Sequence, residues 1–369
     1  MITKIAVENF KCFEKEELEL SCLNLFSGIN SMGKSTMIQA LLLLRQAQEQ
    51  NALDKGIYLN GKYTNIGVGR DLLYTNAQEN CICISLESET GVLKKSYHYE
   101  GEADFLREIS EEDKNQVTSL NLFETGFSYI AADRLGPQSG YQKSYYEVWE
   151  QRQIGNHGEY AVHYLREHEL ENVENETVLY EGESNHRISR QVECWMSEIT
   201  PGVTFRTEDY GHGNMVGLTV HQRSAAAVDY FSAQNVGFGI SYVLPVILAL
   251  VKAKRGELLI LENPEAHLHP KGQRKMGELI ARAAQGGVQI IVETHSDHVL
   301  NGIRLSAKRN ILEPEKVRLF YFDRLEKKNG IENVVLPVIQ KPVLQKDGRL
   351  SFWPDGFFDE WDKAIDEMF

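Results

Sequence analysis

Apolar positions in this chain fall into short unbroken runs and longer helical repeats, and their order sets the expected architecture. Leu23-Asn-Leu-Phe26 reads as a buried strand, followed by an apolar helix over Thr36-Met-Ile-Gln-Ala-Leu-Leu-Leu-Leu-Arg45. Leu258 to Leu261 and Val288-Gln-Ile-Ile-Val-Glu293 have the length and composition of central parallel strands. Tyr242-Val-Leu-Pro-Val-Ile-Leu-Ala-Leu250 reads as a core helix. Helix and apolar strand alternate from 237 to 323, which predicts a parallel sheet completed together with the Leu23 strand.

The first hundred residues carry a different pattern. Strands are expected near Cys81 to Leu86 and Val92 to Tyr99, with turns at Asn60-Gly61 and Gly67-Val-Gly69, so this part reads as a β-rich lobe. Glu102 to Gln116 and Glu167 to Glu183 are acidic and polar, the pattern of solvated faces or loose insertions. Arg187 to Ile199 has helical spacing, so the middle is expected to be a helical lobe. The fold class is therefore α/β: a parallel or mixed sheet with flanking helices, a β-rich N-terminal lobe and an inserted helical lobe. There is no internal repeat and no heptad run long enough for a coiled coil.

Composition narrows the class. A chain of 369 residues, 42% hydrophobic and 25% charged, can bury a sizeable core. Its five cysteines, Cys12, Cys22, Cys81, Cys83 and Cys194, form no disulfide framework, which predicts a reducing, cytoplasmic setting. Cys81-Ile-Cys83 puts two thiols on one strand face, but no further ligands are spaced for a metal, so packing is the expected role. The longest apolar run, Val243 to Val251, is far below the ~20 residues of a spanning helix, so no membrane partner is expected. A net charge of −14 argues against a broad basic surface for nucleic acid, and any DNA contact would be local or made through a partner.

Two distant motifs carry the chemistry. Gly28-Ile-Asn-Ser-Met-Gly-Lys-Ser35 fits the phosphate-loop pattern: glycines leave room for backbone N–H groups around phosphates, Lys34 supplies a point charge, and Ser35 offers a hydroxyl to Mg²⁺. The strand before it and the helix after it are the context this pattern requires. In the second motif, the Leu258 strand delivers Glu262 to a strand's carboxyl end, where open α/β sheets place ligands, making Glu262 the candidate Mg²⁺ carboxylate. His295 follows the Val288 strand and is a candidate for the same chemistry. Ala233-Gln-Asn-Val-Gly-Phe-Gly-Ile-Ser241 opens a helix with small residues, and reads equally as a second phosphate clamp or as a close-packing turn.

Spacing decides between those two readings. Gly239 precedes Glu262 by 23 residues and Glu262 precedes His295 by 33, an order and spacing that resembles ATP-binding-cassette ATPases. More narrowly the chain resembles their RecF, SMC and OLD branch, through Ile5-Ala-Val-Glu-Asn-Phe-Lys-Cys-Phe13, the Gly28 loop, Glu262-Asn-Pro-Glu-Ala-His-Leu-His-Pro270 and Thr294-His-Ser-Asp297. Phe352-Trp-Pro-Asp-Gly-Phe-Phe358 resembles the ending of bacterial stand-alone ATPases, many found beside phage-defence genes. The resemblance implies nucleotide binding by Lys11, Gly28, Asn30, Ser31, Gly33, Lys34, Ser35 and Thr36, and by Asn235, Gly237, Gly239 and Ser241 of a facing subunit. It implies Mg²⁺ at Ser35 and Glu262, ATP-dependent dimers or higher oligomers, and a separate effector protein. The corresponding division is an N-terminal core half with the phosphate loop (1–100), an inserted helical or mixed lobe (101–232), a C-terminal core half (233–325) and an extension (326–369). SMC-type relatives carry long coiled coils and OLD-type relatives add a nuclease domain, and neither is expected here.

The chain departs from the branch at the catalytic position. Relatives read Asp-Glu-Pro, whereas this chain reads Glu262-Asn263-Pro264, and an amide is no proton acceptor near neutral pH. Either Glu265 is the base, Glu262 combines metal and base duties, or hydrolysis is slow and ATP acts mainly as a dimer clamp; slow, regulated hydrolysis is the expectation. A nucleotide-dependent scaffold with little turnover and a DNA-repair clamp are the alternatives. Arg134 is expected either to reach nucleotide or a facing subunit, or to pair with Asp133 or another carboxylate. His267-Leu-His269 is read as a dimer loop in preference to a metal pair.

Overall fold

A computed structural model describes residues 1–109, 120–211, 213–223, 228–232, 239–329, 332–359 and 365–368. The backbone divides into two compact units, the first Met1–Glu124, Val317–Val343 and Leu350–Phe369, the second Thr125–Lys316 and Leu344–Arg349. The architecture is mixed α/β, with parallel and mixed sheets and flanking helices.

The first unit begins with β1 (Ile2–Phe10), β2 (Phe13–Glu19), β3 (Leu23–Gly28), α1 (Lys34–Glu49), β4 (Gly56–Tyr58), β5 (Cys81–Ser88), β6 (Gly91–His98) and β7 (Phe105–Arg107). β2, β1, β5 and β6 form an antiparallel sheet in that order, the expected β-rich lobe. The Leu23 run is buried throughout its strand, and its one polar member, Asn24, is matched on both sides of its amide by the backbone of Ser21 at 2.8 Å. Burial all round α1 follows from its four consecutive leucines. That burial obliges the helix's polar residues to find partners. Gln46 Oε1 accepts from Tyr63 N at 3.1 Å, and Arg45 donates to the carbonyls of Leu122 and Glu124 at 2.9 and 2.8 Å.

The second unit contains β8 (Ser128–Ile130), β9 (Tyr141–Gln142), a five-residue π-helix (Tyr146–Glu150), α2 (Ala161–Glu167), α3 (Ile188–Ile199), β10 (Val203–Asp209), β11 (Met215–Arg223), β12 (Val228–Ser232), α4 (Gly239–Lys252), β13 (Leu258–Glu262), α5 (Pro270–Gln285), β14 (Gln289–Glu293) and α6 (Asp297–Lys308). β13 runs parallel to both β8 and β14, which explains its unbroken apolar run. The chain then returns to the first unit as β15 (Val317–Asn329) and β16 (Glu332–Gln340); β15 lies parallel to β3 and pairs antiparallel with β16. Phe26 packs against Phe320 and Phe322, each with ring centroids 5.4 Å away.

The middle of the chain holds more regular structure than its charge pattern suggests. Within the acidic stretch from Glu102, Phe105–Arg107 is a strand paired with β4, because Leu106 is apolar enough to be fully buried; 110–116 lies outside the described residues. In the acidic stretch 167–183 the glutamates form the expected solvated face, with Glu167, Glu169, Glu174, Glu176 and Glu181 exposed, but the stretch is packed beneath: Val178 is buried and its carbonyl accepts from Trp195 Nε1 at 2.7 Å, while Asn175 Nδ2 reaches Ala283 O at 3.2 Å. The insertion holds the expected helix at α3 and also an antiparallel sheet, with β10 on one side of β11 and β12 and β9 on the other.

Candidate functional site

In the first unit the phosphate loop joins β3 to α1 and is built on left-handed backbone. Gly28, Ser31 and Gly33 have φ of 130°, 65° and 103°, so the turn folds tightly and carries Ile29, Asn30 and Ser31 on the surface. A Cβ on Gly28 would lie 2.1 Å from the Phe322 carbonyl oxygen of β15, and one on Gly33 would lie 2.2 Å from the Phe13 ring. Both glycines are thus required by close approach as well as by φ.

The lysine of the loop is not solvent-facing. Lys34 is 4% exposed, and its ammonium donates to the carbonyls of Gly28 and Ile29 at 2.9 and 3.0 Å, bracing the loop that it serves. Ser35 is exposed in the first turn of α1, and Thr36 is buried with its hydroxyl 3.9 Å from Cys12 Sγ. Lys11, in the β1–β2 turn with φ of 52°, donates to Gln39 Oε1 on α1 at 2.6 Å, and burial lowers its pKa. The structure therefore gathers Lys11, Gly28, Asn30, Ser31, Gly33, Lys34, Ser35 and Thr36 around one loop and the helix it opens.

In the second unit the carboxylate residues converge on the turn after β13. Glu262 is the last residue of that strand, opposite Glu293 of β14 in the parallel register. Glu262 Oε2 accepts from Ala132 N at 3.2 Å, and the Tyr129 hydroxyl also donates to this carboxylate. Burial raises the Glu262 pKa, and those donors oppose the rise. Asn263 follows with φ of 45°, its N–H donated to Glu293 O at 2.8 Å. Asparagine tolerates this left-handed geometry better than most residues, a local reason for an amide here.

Glu265 is the second carboxylate of the turn. Its Oε1 accepts from His295 N at 2.9 Å, and the Thr294 hydroxyl also donates to it. Its Oε2 is buried without a hydrogen-bond partner among the described residues, as is the Asn263 Oδ1. Burial raises the Glu265 pKa as well. The His295 backbone therefore joins Glu265 while its ring is exposed. The structure brings Glu262, Asn263, Glu265 and His295 together within one unit.

Of the proposed clamp, Asn235 and Gly237 lie outside the described residues. Gly239 begins α4, where a Cβ would come within 3.0 Å of the His267 carbonyl oxygen. Ser241 is buried and its hydroxyl lies 3.2 Å from that of Tyr141. His267 is exposed with φ of 62° and packs edge-on to Tyr242 at 4.5 Å, whereas His269 caps α5 by accepting from Lys271 N at 3.4 Å. The two imidazoles thus have separate structural uses, and no cluster of three or more potential metal-ligating side chains of His, Cys, Asp or Glu occurs among the described residues.

The expectation for Arg134 changes most. It makes no ion pair with Asp133, whose carboxylate lies 3.3 Å from His157 Nδ1. Arg134 is 3% exposed and donates to three backbone carbonyls, those of Ala131, Glu262 and Asn263, at 2.9, 2.7 and 2.7 Å. Its pKa falls to about 10 because burial disfavours the cation, with Glu265 the first of the groups opposing that fall. The signal was a lone arginine just past an apolar strand, Phe127-Ser-Tyr-Ile-Ala-Ala-Asp-Arg134, but its partners lie far along the chain.

The model of a family described as "AAA domain, putative AbiEii toxin, Type IV TA system" matches residues 97–301. A further AAA-domain model matches 4–176, and that of a protein family of unknown function, DUF3696, matches 312–368. A curated relative, the energy-coupling factor transporter ATP-binding protein EcfA2 of Mycoplasmoides gallisepticum, is 34% identical over 92 residues, which is 22% of this chain and 29% of the relative. The chain therefore spans less than a third of that relative's length. Among solved structures, an SMC head bound to the C-terminal winged-helix domain of ScpA superposes with a TM-score of 0.55 at 12% identity, covering 94% of this chain and 98% of the other. That likeness shows the fold alone.

Proposed function

Because the chain belongs to this AAA-domain family, its model matching residues 97–301, we propose that it binds ATP with Mg²⁺ at the phosphate loop and hydrolyses it slowly. The observation that carries the reading is the loop itself: left-handed Gly28 and Gly33 pressed against Phe322 and Phe13, with Lys34 held by two loop carbonyls. A phosphate oxygen that reaches the loop replaces those carbonyls as the partner of the ammonium, and the exposed Ser35 hydroxyl and the Glu262 carboxylate offer oxygen ligands of the kind Mg²⁺ takes. When bound, Mg²⁺ would offset charge on the phosphates. Glu265 is our candidate for the base: Oε1 is anchored and Oε2 keeps its full acceptor capacity. Asn263 serves backbone geometry, and His295 presents an exposed ring as a ligand for an outer phosphate.

The further parts of the reading are an ATP sandwich and a partner. Gly239 and Ser241, with Asn235 and Gly237, would grip the nucleotide of a facing copy, and the ATP state would control a separate effector in bacterial anti-phage defence. The family's description names a toxin of a type IV toxin–antitoxin system, which suits a two-protein defence pair. The amide at Asn263 supports a second reading, in which ATP holds a scaffold together with little turnover. Purified full-length protein decides among these through equilibrium ATP binding, steady-state phosphate release and light scattering with and without ATP–Mg²⁺. Binding with slow release and ATP-dependent association is expected. Absence of ATP binding overturns the reading, and binding with association but no release selects the scaffold.

A further inference from the structure

Arg134 stands out among the described residues as a buried cation whose side-chain hydrogen bonds all end on backbone carbonyls of a catalytic turn and of its own strand end. A planar guanidinium presents donors in a fixed fork, so two oxygens on successive residues can be held at once with a defined separation. Here the fork spans Glu262 O and Asn263 O, the carbonyls of the peptide groups on either side of the left-handed Asn263. The third bond, to Ala131 O, holds the arginine to the stretch whose Ala132 N–H already donates to Glu262 Oε2. The Glu262 backbone and side chain are thus both fastened to residues 131–134.

The same guanidinium lies 5.8 Å from the centroid of the Tyr242 ring, in the first turn of α4. Tyr242 in turn meets His267, whose carbonyl oxygen faces Gly239. One chain of contacts therefore runs from the start of α4, through Tyr242 and Arg134, to the turn that carries Glu262 and Glu265. We propose that Arg134 is a positioning residue for ATP hydrolysis, which holds the Glu262–Asn263 turn in its left-handed form and ties that form to the start of α4.

The proposal rests on the hydrolytic reading above, and its test separates the two. Arg134→Lys keeps the charge but replaces the fork by one ammonium, which cannot hold two successive carbonyls in the same geometry. In the full chain, kcat should fall at least 30-fold while KM and the equilibrium affinity for ATP stay within about threefold, since the phosphate loop is untouched. Hydrogen–deuterium exchange of residues 262–268 should become faster, with the exchange of β3 and α1 unchanged. Tyr242→Leu should give a smaller shift of the same kind. Arg134→Gln, which keeps two amide N–H donors without a buried cation, serves if the lysine variant fails to fold. Unchanged exchange of 262–268 in a folded variant overturns the proposal even if wild-type protein shows no turnover, and so does an equal loss of ATP affinity and kcat. Wild-type protein that binds no ATP, with faster exchange in the variant, would overturn the ATPase reading and leave Arg134 as a support for the turn alone, which also refutes its positioning role.

Discussion

Glu265 and His295 meet through a side-chain carboxylate and a backbone N–H, 2.9 Å apart, so the histidine's position along the chain supports the glutamate while its ring stays exposed. This separates what the side chain of each residue is free to do.

If Glu265 is the base, Glu265→Gln should lower phosphate release by ~10²-fold or more while ATP binding persists and the ATP-bound dimer accumulates. Asn263→Glu should gain little, because Asn263 holds a left-handed backbone and a new carboxylate would crowd Glu262. Single-turnover and steady-state kinetics of both variants check this; a large gain in Asn263→Glu with Glu265→Gln unchanged would reassign the base.

Burial raises the pKa of both Glu262 and Glu265, so the acid limb of kcat against pH should lie above the ordinary glutamate value of 4.5. The same shift has a stability consequence of defined sign. A carboxyl with a raised folded-state pKa costs stability as it ionises, so Glu265→Gln should melt above wild type at pH 7, and the difference should vanish below the unfolded-state pKa. Melting curves from pH 3.5 to 8 test both the sign and the window.

His295→Ala should reduce phosphate release with little change in melting temperature, since the lost ring is exposed and the backbone N–H that supports Glu265 remains. His295→Pro removes that N–H and should also unsettle Glu265. Equal effects of the two substitutions on stability would show that the N–H contact contributes nothing.

Lys34→Ala should weaken ATP affinity by at least ~10²-fold, consistent with loss of a charged phosphate ligand. Because the ammonium also bonds Gly28 O and Ile29 O, the variant should show faster amide exchange in residues 28–33, which a lysine acting only on nucleotide would not produce. Calorimetric titration with ATP and exchange of the nucleotide-free protein measure the two effects separately.

Gly28→Ala places a Cβ against the Phe322 carbonyl oxygen at 2.1 Å on a backbone with φ of 130°. The strain and the displaced strand should cost about 1–3 kcal/mol and lower the melting temperature even without nucleotide. A stable Gly28→Ala variant with normal ATP affinity would contradict the close approach of β3 and β15.

The sequence by itself determined the elements whose signals are contiguous. The Leu23, Leu258 and Val288 runs, the leucines of α1 and the glycine pattern of the phosphate loop each lie within a few residues, so local apolarity and local φ requirements suffice to read them. It also placed Glu262 and His295 at strand ends, because a strand's end is a local feature. Only the tertiary structure decided which partners those residues take. Arg134 bonds carbonyls 128 and 129 positions away, and nothing near Arg134 in the chain distinguishes a backbone carbonyl from a carboxylate as its target. Lys34 turns onto its own loop because burial leaves an ammonium no water to donate to. The β10–β12 sheet and the packing of the acidic stretch 167–183 likewise depend on pairings between distant segments, where charge in the sequence records what faces solvent but not which backbone lies beneath it.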